Sequence, residues 1–156
     1  METMLYFAYG ANMQRGDMLR RCPGAVYVGR ARLAHHTFRI NTHGLATVAP
    51  ALHELVHGVV WQINSVHAQA LDAYEGLGYG LYRRAQGTVW LEQTGQRLPV
   101  MYYVAANNEP GYPRVDYLNE IIAAAERNGL HGMYVQRLRG WLEAAPERFF
   151  RFTHPS

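Results

Sequence analysis

Apolar residues in the first two thirds of the chain occur in short runs that are typical of β-strands. Residues 4–9 form a continuous apolar and aromatic run, which predicts a buried strand. Residues 57–63 give the strongest strand signal, because they are rich in β-branched and aromatic side chains. The other predicted strands cover residues 25–33, 37–40, 46–48, 82–91 and 98–104.

Helical patterns are short at first and longer near the C-terminal end. The predicted helices cover residues 13–21, 67–74, 115–127 and 132–142, and the last two form an αα-hairpin. Strands therefore dominate the first two thirds and do not alternate regularly with long helices. This order favours an α+β fold with a curved or closed mixed sheet over a doubly wound one. Because no repeat or linker interrupts the pattern, residues 1–156 are expected to form a single domain.

Composition and charge exclude several classes of protein. With 49% apolar and 17% charged residues, the chain suits a packed globule. Lysine is absent, so Schiff-base and P-loop chemistry are excluded, and the arginines are too scattered to predict a nucleic-acid partner. Neither a signal peptide nor a membrane-length apolar run is visible, so a cytoplasmic protein without a membrane partner is expected. The single cysteine, Cys22, lies in a predicted helix-to-strand connection and is not expected to be a nucleophile.

One string matches the H-E-x-x-H pattern of zinc peptidases. That chemistry needs His53 and His57 on one face of a helix, with Glu54 activating a zinc-bound water. Pro50 lies upstream and Gly58 follows directly, at the start of a strand-forming run, so a strand is favoured here. No metal or other cofactor is therefore expected. Zinc hydrolysis through these two histidines stays open as an alternative.

Glu75 is a better candidate for catalysis. It ends a short predicted helix between Tyr74 and Gly76, where apolar neighbours and the helix C-terminus both disfavour a negative charge. A raised carboxyl pKa suits proton transfer. Asp72, one turn earlier, is interpreted as a solvated acid. The glycine-rich residues 76–80 follow a helix and precede a strand, so they are interpreted as a loop bordering a site, not a dinucleotide cradle.

The loop after the first strand is a candidate binding site for an anion. A strand that ends at Tyr9 and is followed by a helix presents free backbone N–H groups, which bind carboxylates and phosphates. Gly10 allows a ligand to approach the backbone closely. Asn12 is suited either to bond a ligand or to cap the helix, and both interpretations stay open.

In this order, the segments resemble the γ-glutamylcyclotransferase (AIG2-like) family along most of the chain. The first loop is similar to the family's Y-G-S-N-hydrophobic sequence, and residues 57–63 to its G-V-hydrophobic-W/Y strand. Residues 71–76 match its L-D-x-x-E-G signature, and residues 82–84 match the tyrosine and basic start of the next strand. Residues 121–135 fit the two closing helices.

The resemblance implies a compact mixed β-barrel and an enzyme that converts a small γ-glutamyl amine or amino acid to 5-oxoproline and the free amine. It implies that Glu75 is the general acid and base. The substrate-binding positions that it implies are Tyr9, Gly10, Ala11, Asn12, Met13, Tyr82 and Tyr134. The family's serine is Ala11 here, which removes a hydroxyl donor from the loop. A homologue that binds a small carboxylate without turnover is therefore a further alternative.

Overall fold

The computed structural model describes residues 2–144, and within them five strands close into a barrel. The strands are β1 (Thr3–Ala8), β2 (Val26–Ile40), β3 (Ala46–Asn64), β4 (Tyr82–Leu91) and β5 (Arg97–Ala105). The helices are α1 (Arg15–Arg21), α2 (Ser65–Tyr74), α3 (Val115–Arg127) and α4 (Gly132–Ala144), with 3-10 turns at Ala11–Met13 and Leu77–Tyr79. Around the barrel the strand order is β1-β3-β2-β4-β5. All neighbours are antiparallel except β1 and β5, which confirms the expected α+β fold with a closed mixed sheet.

Strands β2 and β3 are longer than the sequence pattern predicts. Each replaces two predicted strands, because the breaks in the pattern mark a bulge and not a reversal of the chain. The ladder shifts register between Ala34 and His36, and pairing resumes where His36 faces Pro50. At the bulge His35 and His53 adopt left-handed backbone conformations, with φ of 60° and 66°. The two strands are therefore continuous through an irregular middle.

The H-E-x-x-H string lies on β3, not on a helix. His53 is exposed at the bulge, whereas the ring of His57 packs 4.6 Å from the ring of Tyr134 on α4. Within residues 2–144, no group of three or more histidine, cysteine, aspartate or glutamate side chains is placed to hold a metal ion. The helical geometry that a zinc peptidase requires is thus missing from this segment.

Tight packing between β1 and β3 fixes the chain at the point where β1 ends. A Cβ atom on Gly58 would lie 2.3 Å from the carbonyl oxygen of Ala8, so only glycine fits this crossing. Three residues later on β3, the buried indole of Trp61 donates its N–H to the carbonyl oxygen of Asn12 at 3.2 Å. Strand β3 therefore supports both the end of β1 and the turn that follows it.

The helices attach to the same region. Helix α1 begins at Arg15, two residues later than predicted, because Gln14 caps it and accepts a hydrogen bond from the Asp17 N–H at 2.7 Å. The predicted hairpin of α3 and α4 is confirmed. Asn128 joins this hairpin to the turn after β1 by donating to the carbonyl oxygen of Met13 at 2.8 Å. Buried Cys22 follows α1 and faces the backbone of α2, with Sγ 3.7 Å from the His67 carbonyl oxygen.

None of the helices within residues 2–144 is long and apolar enough to cross a membrane.

The contact between His57 and Tyr134 predicts a pH-dependent stability. Burial lowers the pKa of His57 from 6.5 to about 4, so between these values the unfolded chain binds the proton more tightly than the folded chain. The stability that neutral His57 provides is therefore complete above pH 6.5 and is lost as the pH falls towards 4. We expect the free energy of unfolding of His57→Phe in urea, measured relative to that of the wild type, to rise as the pH falls from 7 to 5, because all other titrating groups are common to the two proteins.

His43→Gln is the matched control, because His43 is exposed in the turn between β2 and β3. It should leave the pH dependence of unfolding as in the wild type. A His57→Phe variant with the full wild-type pH dependence would contradict the assignment.

Candidate active site

A cavity of about 280 Å³ lies between the turn after β1, the end of α2 and the start of α3. Its volume is near the lower limit of the roughly 300–1,000 Å³ of ligand pockets, which suits a small metabolite. It is lined by Tyr6, Tyr9, Gly10, Ala11, Asn12, Leu45, Ala46, Tyr74, Glu75, Leu81, Tyr82, Tyr103, Arg114 and Tyr117. The structure thus brings Glu75 and residues 9–12, which belong to the turn after β1, to one cavity.

Glu75 is held at the C-terminal end of α2. Its backbone N–H donates to the carbonyl oxygen of Leu71 at 2.8 Å, which continues the helix up to this residue. The next residue, Gly76, is left-handed with φ of 67°, and a Cβ atom there would lie 2.9 Å from the side chain of Leu81. The positive φ favours glycine, and a larger residue would also displace the side chain of Leu81. The chain therefore leaves the helix immediately after Glu75, at the edge of the cavity.

Burial raises the pKa of Glu75 from 4.5 to about 7, and the nearby Arg21 opposes this rise. The carboxyl group is partly buried, and it makes no hydrogen bond or ion pair with the described part of the chain. The carbonyl dipoles at the helix C-terminus also disfavour a negative charge here. Near neutral pH the group is therefore divided between its acid and base forms, which is the state that a proton shuttle needs.

Arg21 connects Glu75 to the turn after β1 without touching the carboxylate. Its guanidinium lies 3.8 Å from the centre of the Tyr74 ring and donates to Asn12 Oδ1 at 2.5 Å. These two contacts keep a positive charge near Glu75 but outside hydrogen-bonding distance. Arg21 therefore limits the rise in the Glu75 pKa while it orients Asn12.

Asn12 does not cap a helix with its side chain, because Gln14 caps α1. The amide of Asn12 is buried: it accepts from Arg21 and donates through Nδ2 to the Tyr6 hydroxyl at 3.0 Å. The 3-10 turn Ala11–Met13 has no side-chain cap, so its first backbone N–H groups have no acceptor within the turn. Gly10, Ala11 and Asn12 all line the cavity together with Glu75.

Six tyrosines account for much of the cavity wall, and two of them hold its frame. They are Tyr6, Tyr9, Tyr74, Tyr82, Tyr103 and Tyr117. The Tyr9 hydroxyl donates to the backbone of β5, at the carbonyl oxygen of Tyr103, over 2.6 Å. The Tyr82 hydroxyl donates to the carbonyl oxygen of Ala46, at the start of β3, over 2.5 Å. Their aromatic rings remove water from around Glu75, which is the physical cause of its raised pKa.

Two other tyrosine hydroxyls act as acceptors. The Tyr6 hydroxyl accepts from Asn12, and the Tyr117 hydroxyl accepts from the N–H of Ala46 at 3.1 Å. Each hydroxyl therefore keeps its own proton for a further acceptor. Neither tyrosine was predicted to lie at the site. Their sequence surroundings are those of ordinary strand and helix tyrosines, so no local signal separates them from core residues.

Two of the predicted binding residues do not reach the cavity. Met13 is fully buried on the core side of the turn. Tyr134 is buried where α4 packs on β3, against His57. The hairpin instead contributes the first turn of α3, through Arg114 and Tyr117. The sequence pattern identifies the hairpin but not which of its ends faces the cavity.

Asp72 is not a solvated acid as the sequence suggests. Its carboxylate accepts two hydrogen bonds from the Arg84 guanidinium, at 2.8 and 2.6 Å, and one from the Tyr103 hydroxyl at 2.7 Å. Burial alone would raise the pKa of Asp72, but these hydrogen bonds outweigh it and lower the pKa. Asp72 therefore ties α2 to strands β4 and β5, one turn before Glu75.

Comparisons with known proteins agree with this architecture. The AIG2-like family model matches residues 55–138. A protein from Bos taurus named γ-glutamylcyclotransferase is 31% identical over 147 residues, which cover 88% of this chain and 78% of the relative. A solved structure named γ-glutamyl cyclotransferase superposes with a TM-score of 0.82 at 26% identity, over 99% of this chain and 100% of that one. The crystal structure of an uncharacterized protein from Homo sapiens gives 0.81 at 30% identity, over 89% of this chain and 88% of that one.

The Asp72 contacts predict a measurable contribution to stability. Asp72→Asn removes the charge that Arg84 and Tyr103 bond, so we expect the free energy of unfolding in urea at pH 7 to fall by about 1–2 kcal/mol. Asp17→Asn is the matched control, because Asp17 pairs with the more exposed Arg20. It should cost less than about 0.5 kcal/mol. Equal losses in the two variants would contradict a structural role for Asp72.

Proposed function

Because the chain belongs to the AIG2-like γ-glutamylcyclotransferase family, we propose that it converts a γ-glutamyl amine or amino acid to 5-oxoproline and the free amine. We further propose that residues 1–156 form one domain of this family. The observation that supports the activity best is the partly buried carboxyl group of Glu75, with a pKa of about 7, in the same small cavity as the turn after β1.

Glu75 acts first as a base and then as an acid. Its carboxylate takes a proton from the α-ammonium group of the substrate, and the freed nitrogen attacks the γ-carbonyl carbon to close a five-membered ring. Glu75 passes this proton to the departing nitrogen, and the γ-carbon–nitrogen bond of the substrate breaks. The ring nitrogen still carries one proton more than 5-oxoproline has; Glu75 takes this second proton and passes it to the freed amine, which leaves as an ammonium ion. Two protons have then moved from the α-nitrogen to the departing nitrogen, and the carboxylate is regenerated. Ring closure is intramolecular, and proximity replaces an external nucleophile.

The turn after β1 positions the glutamyl half. Backbone N–H groups of Ala11 and Asn12 bind its α-carboxylate, and Gly10 lets the substrate approach the backbone. Ala11 stands in place of the family's serine, so these contacts depend on the backbone alone. The free protons of Tyr6 and Tyr117 face the negative charge that develops on the γ-carbonyl oxygen during attack.

Binding of a small carboxylate without turnover is the second candidate, and Ala11 is the residue that favours it. Where the serine hydroxyl of the family contacts the ligand, its absence in this chain weakens substrate binding by about 1 kcal/mol. The presence of Glu75 argues against binding without turnover, because the binding of an anion does not require a carboxyl group with a raised pKa.

The Glu75→Gln variant tests the assignment of the general acid and base. We expect the wild type to release 5-oxoproline from at least one compound in a panel of γ-glutamyl amines and amino acids. We expect Glu75→Gln to reduce the rate roughly a hundredfold or more. Glu109→Gln, at an exposed position outside the cavity, should behave as the wild type.

Thermal unfolding of Glu75→Gln distinguishes a loss of catalysis from a loss of folding. The folded-state pKa of Glu75 is raised, so the stability of its neutral form is complete below pH 4.5 and is lost as the pH rises through about 7. Glu75→Gln should therefore unfold at or above the wild-type temperature at pH 8. Equal turnover by variant and wild type would overturn the catalytic role. A wild type that binds the panel without releasing 5-oxoproline would favour the binding protein.

The position of Arg21 predicts a shift in the pH dependence of the rate. With Glu75 as the base, kcat/KM should rise with pH through about 7. Arg21 lowers the Glu75 pKa, so Arg21→Met should move this rise to higher pH. Arg20→Met, which removes the neighbouring exposed charge, should leave it in place. A rise that stays at the wild-type pH in Arg21→Met, or moves to lower pH, would show that another group titrates.

A further inference from the structure

Arg114 is the only cation among the described residues that line the active-site cavity. Its guanidinium makes no hydrogen bond or ion pair within residues 2–144. The arginines nearest to α2 differ in this respect, since Arg21 is bonded to Asn12 and Arg84 to Asp72. Arg114 is therefore an exposed positive charge at the cavity that is available to bind a ligand.

The backbone that carries Arg114 is firmly anchored. The N–H of Gly111 donates to the carbonyl oxygen of Ile40 at 2.8 Å, and a Cβ atom on Gly111 would lie 2.3 Å from the carbonyl oxygen of Asn41. The carbonyl oxygen of Arg114 itself accepts from the N–H of Leu118 at 3.1 Å as α3 begins. The residue is fixed against the end of β2, so a ligand has to order only its side chain.

The exposed position of Arg114 at the cavity corresponds to the departing half of the substrate. Glu75 is partly buried, whereas Arg114 is exposed at the cavity. In the proposed reaction the α-amine and α-carboxylate sit on one carbon beside Glu75 and the turn after β1. The departing half then extends towards solvent. Tyr117 lies along this course: burial raises its pKa to about 12, and the charge of nearby Arg114 opposes the rise.

We propose that Arg114 binds a carboxylate on the departing half of the substrate, so that the chain prefers γ-glutamyl amino acids to γ-glutamyl amines that lack this group. The inference rests on the proposed function and names its substrate class. A guanidinium presents parallel N–H donors that match the two oxygens of a carboxylate. Arg114 would thus determine specificity without taking part in proton transfer.

Two substrates that differ in a single group test the proposal. γ-Glutamylalanine and γ-glutamylalaninamide share the reacting bonds, but only the first has a carboxylate on the departing half. We expect wild-type kcat/KM to favour γ-glutamylalanine. Arg114→Gln should lower kcat/KM about tenfold or more on this substrate and leave the amide nearly unchanged. Arg114→Lys should restore part of the preference, because it restores the charge without the paired donors.

Arg127→Gln is the matched control, because Arg127 is exposed on the same helix and lies outside the active-site cavity. Thirteen residues of α-helix place it roughly 20 Å from Arg114. It should leave both rates unchanged. Equal losses on the two substrates in Arg114→Gln, or no loss on either, would overturn the proposal.

Binding measurements distinguish a wrong assignment of Arg114 from a wrong assignment of the proposed function. If the wild type releases 5-oxoproline from neither substrate and from no other compound of the γ-glutamyl panel, the proposed function fails. Isothermal titration of the same two compounds then tests Arg114 directly. Tighter binding of γ-glutamylalanine than of the amide, with the difference lost in Arg114→Gln, supports the carboxylate site. Equal affinity of the wild type for the two compounds overturns it.

Discussion

The free-energy cost of burying an ionised carboxylate determines the properties of Glu75 in the candidate active site. Glu75 lies in a cavity with a wall rich in tyrosine rings, and its neighbouring cation, Arg21, is held apart from it by Asn12 and Tyr74. A direct ion pair would lower the carboxyl pKa and leave a base too weak for proton transfer near neutral pH. The fold thus accepts a less stable native state at this position, and surrounding contacts have to hold the helix end in place.

Those contacts come from parts of the chain that are far apart in sequence. Asp72 binds α2 to two strands, and Gly76 ends the helix directly after Glu75. On the other side of the cavity, Trp61 and Asn128 hold the turn after β1 through its carbonyl oxygens. The barrel supports one wall and the helices support the other. The closed sheet and the helices therefore bring Glu75, the proposed proton-transfer group, to the same cavity as the turn after β1.

The sequence predicts the elements better than the contacts between them. Strand and helix ranges follow from local periodicity, but the bulge at His35 is invisible because two short strands and one bulged strand have the same pattern. Glu75 stands out through its place at a helix end. Asp72 and Arg114 do not stand out in the sequence. The residues that bond Asp72, and the cavity that borders Arg114, are formed by distant segments of the chain. The prediction that Tyr134 lies at the cavity is wrong for a similar reason, because periodicity does not determine which face of the hairpin meets the cavity.

A crystal structure of the protein with 5-oxoproline, the proposed product, tests whether Glu75 and the turn after β1 together form the substrate site. We expect the product carboxylate to lie on the backbone N–H groups of Ala11 and Asn12. We also expect the ring nitrogen to lie within hydrogen-bonding distance of the Glu75 carboxyl group and the ring carbonyl to face Tyr6 or Tyr117. A ligand that binds outside this cavity, or that turns its ring nitrogen away from Glu75, would contradict the proposed role of Glu75.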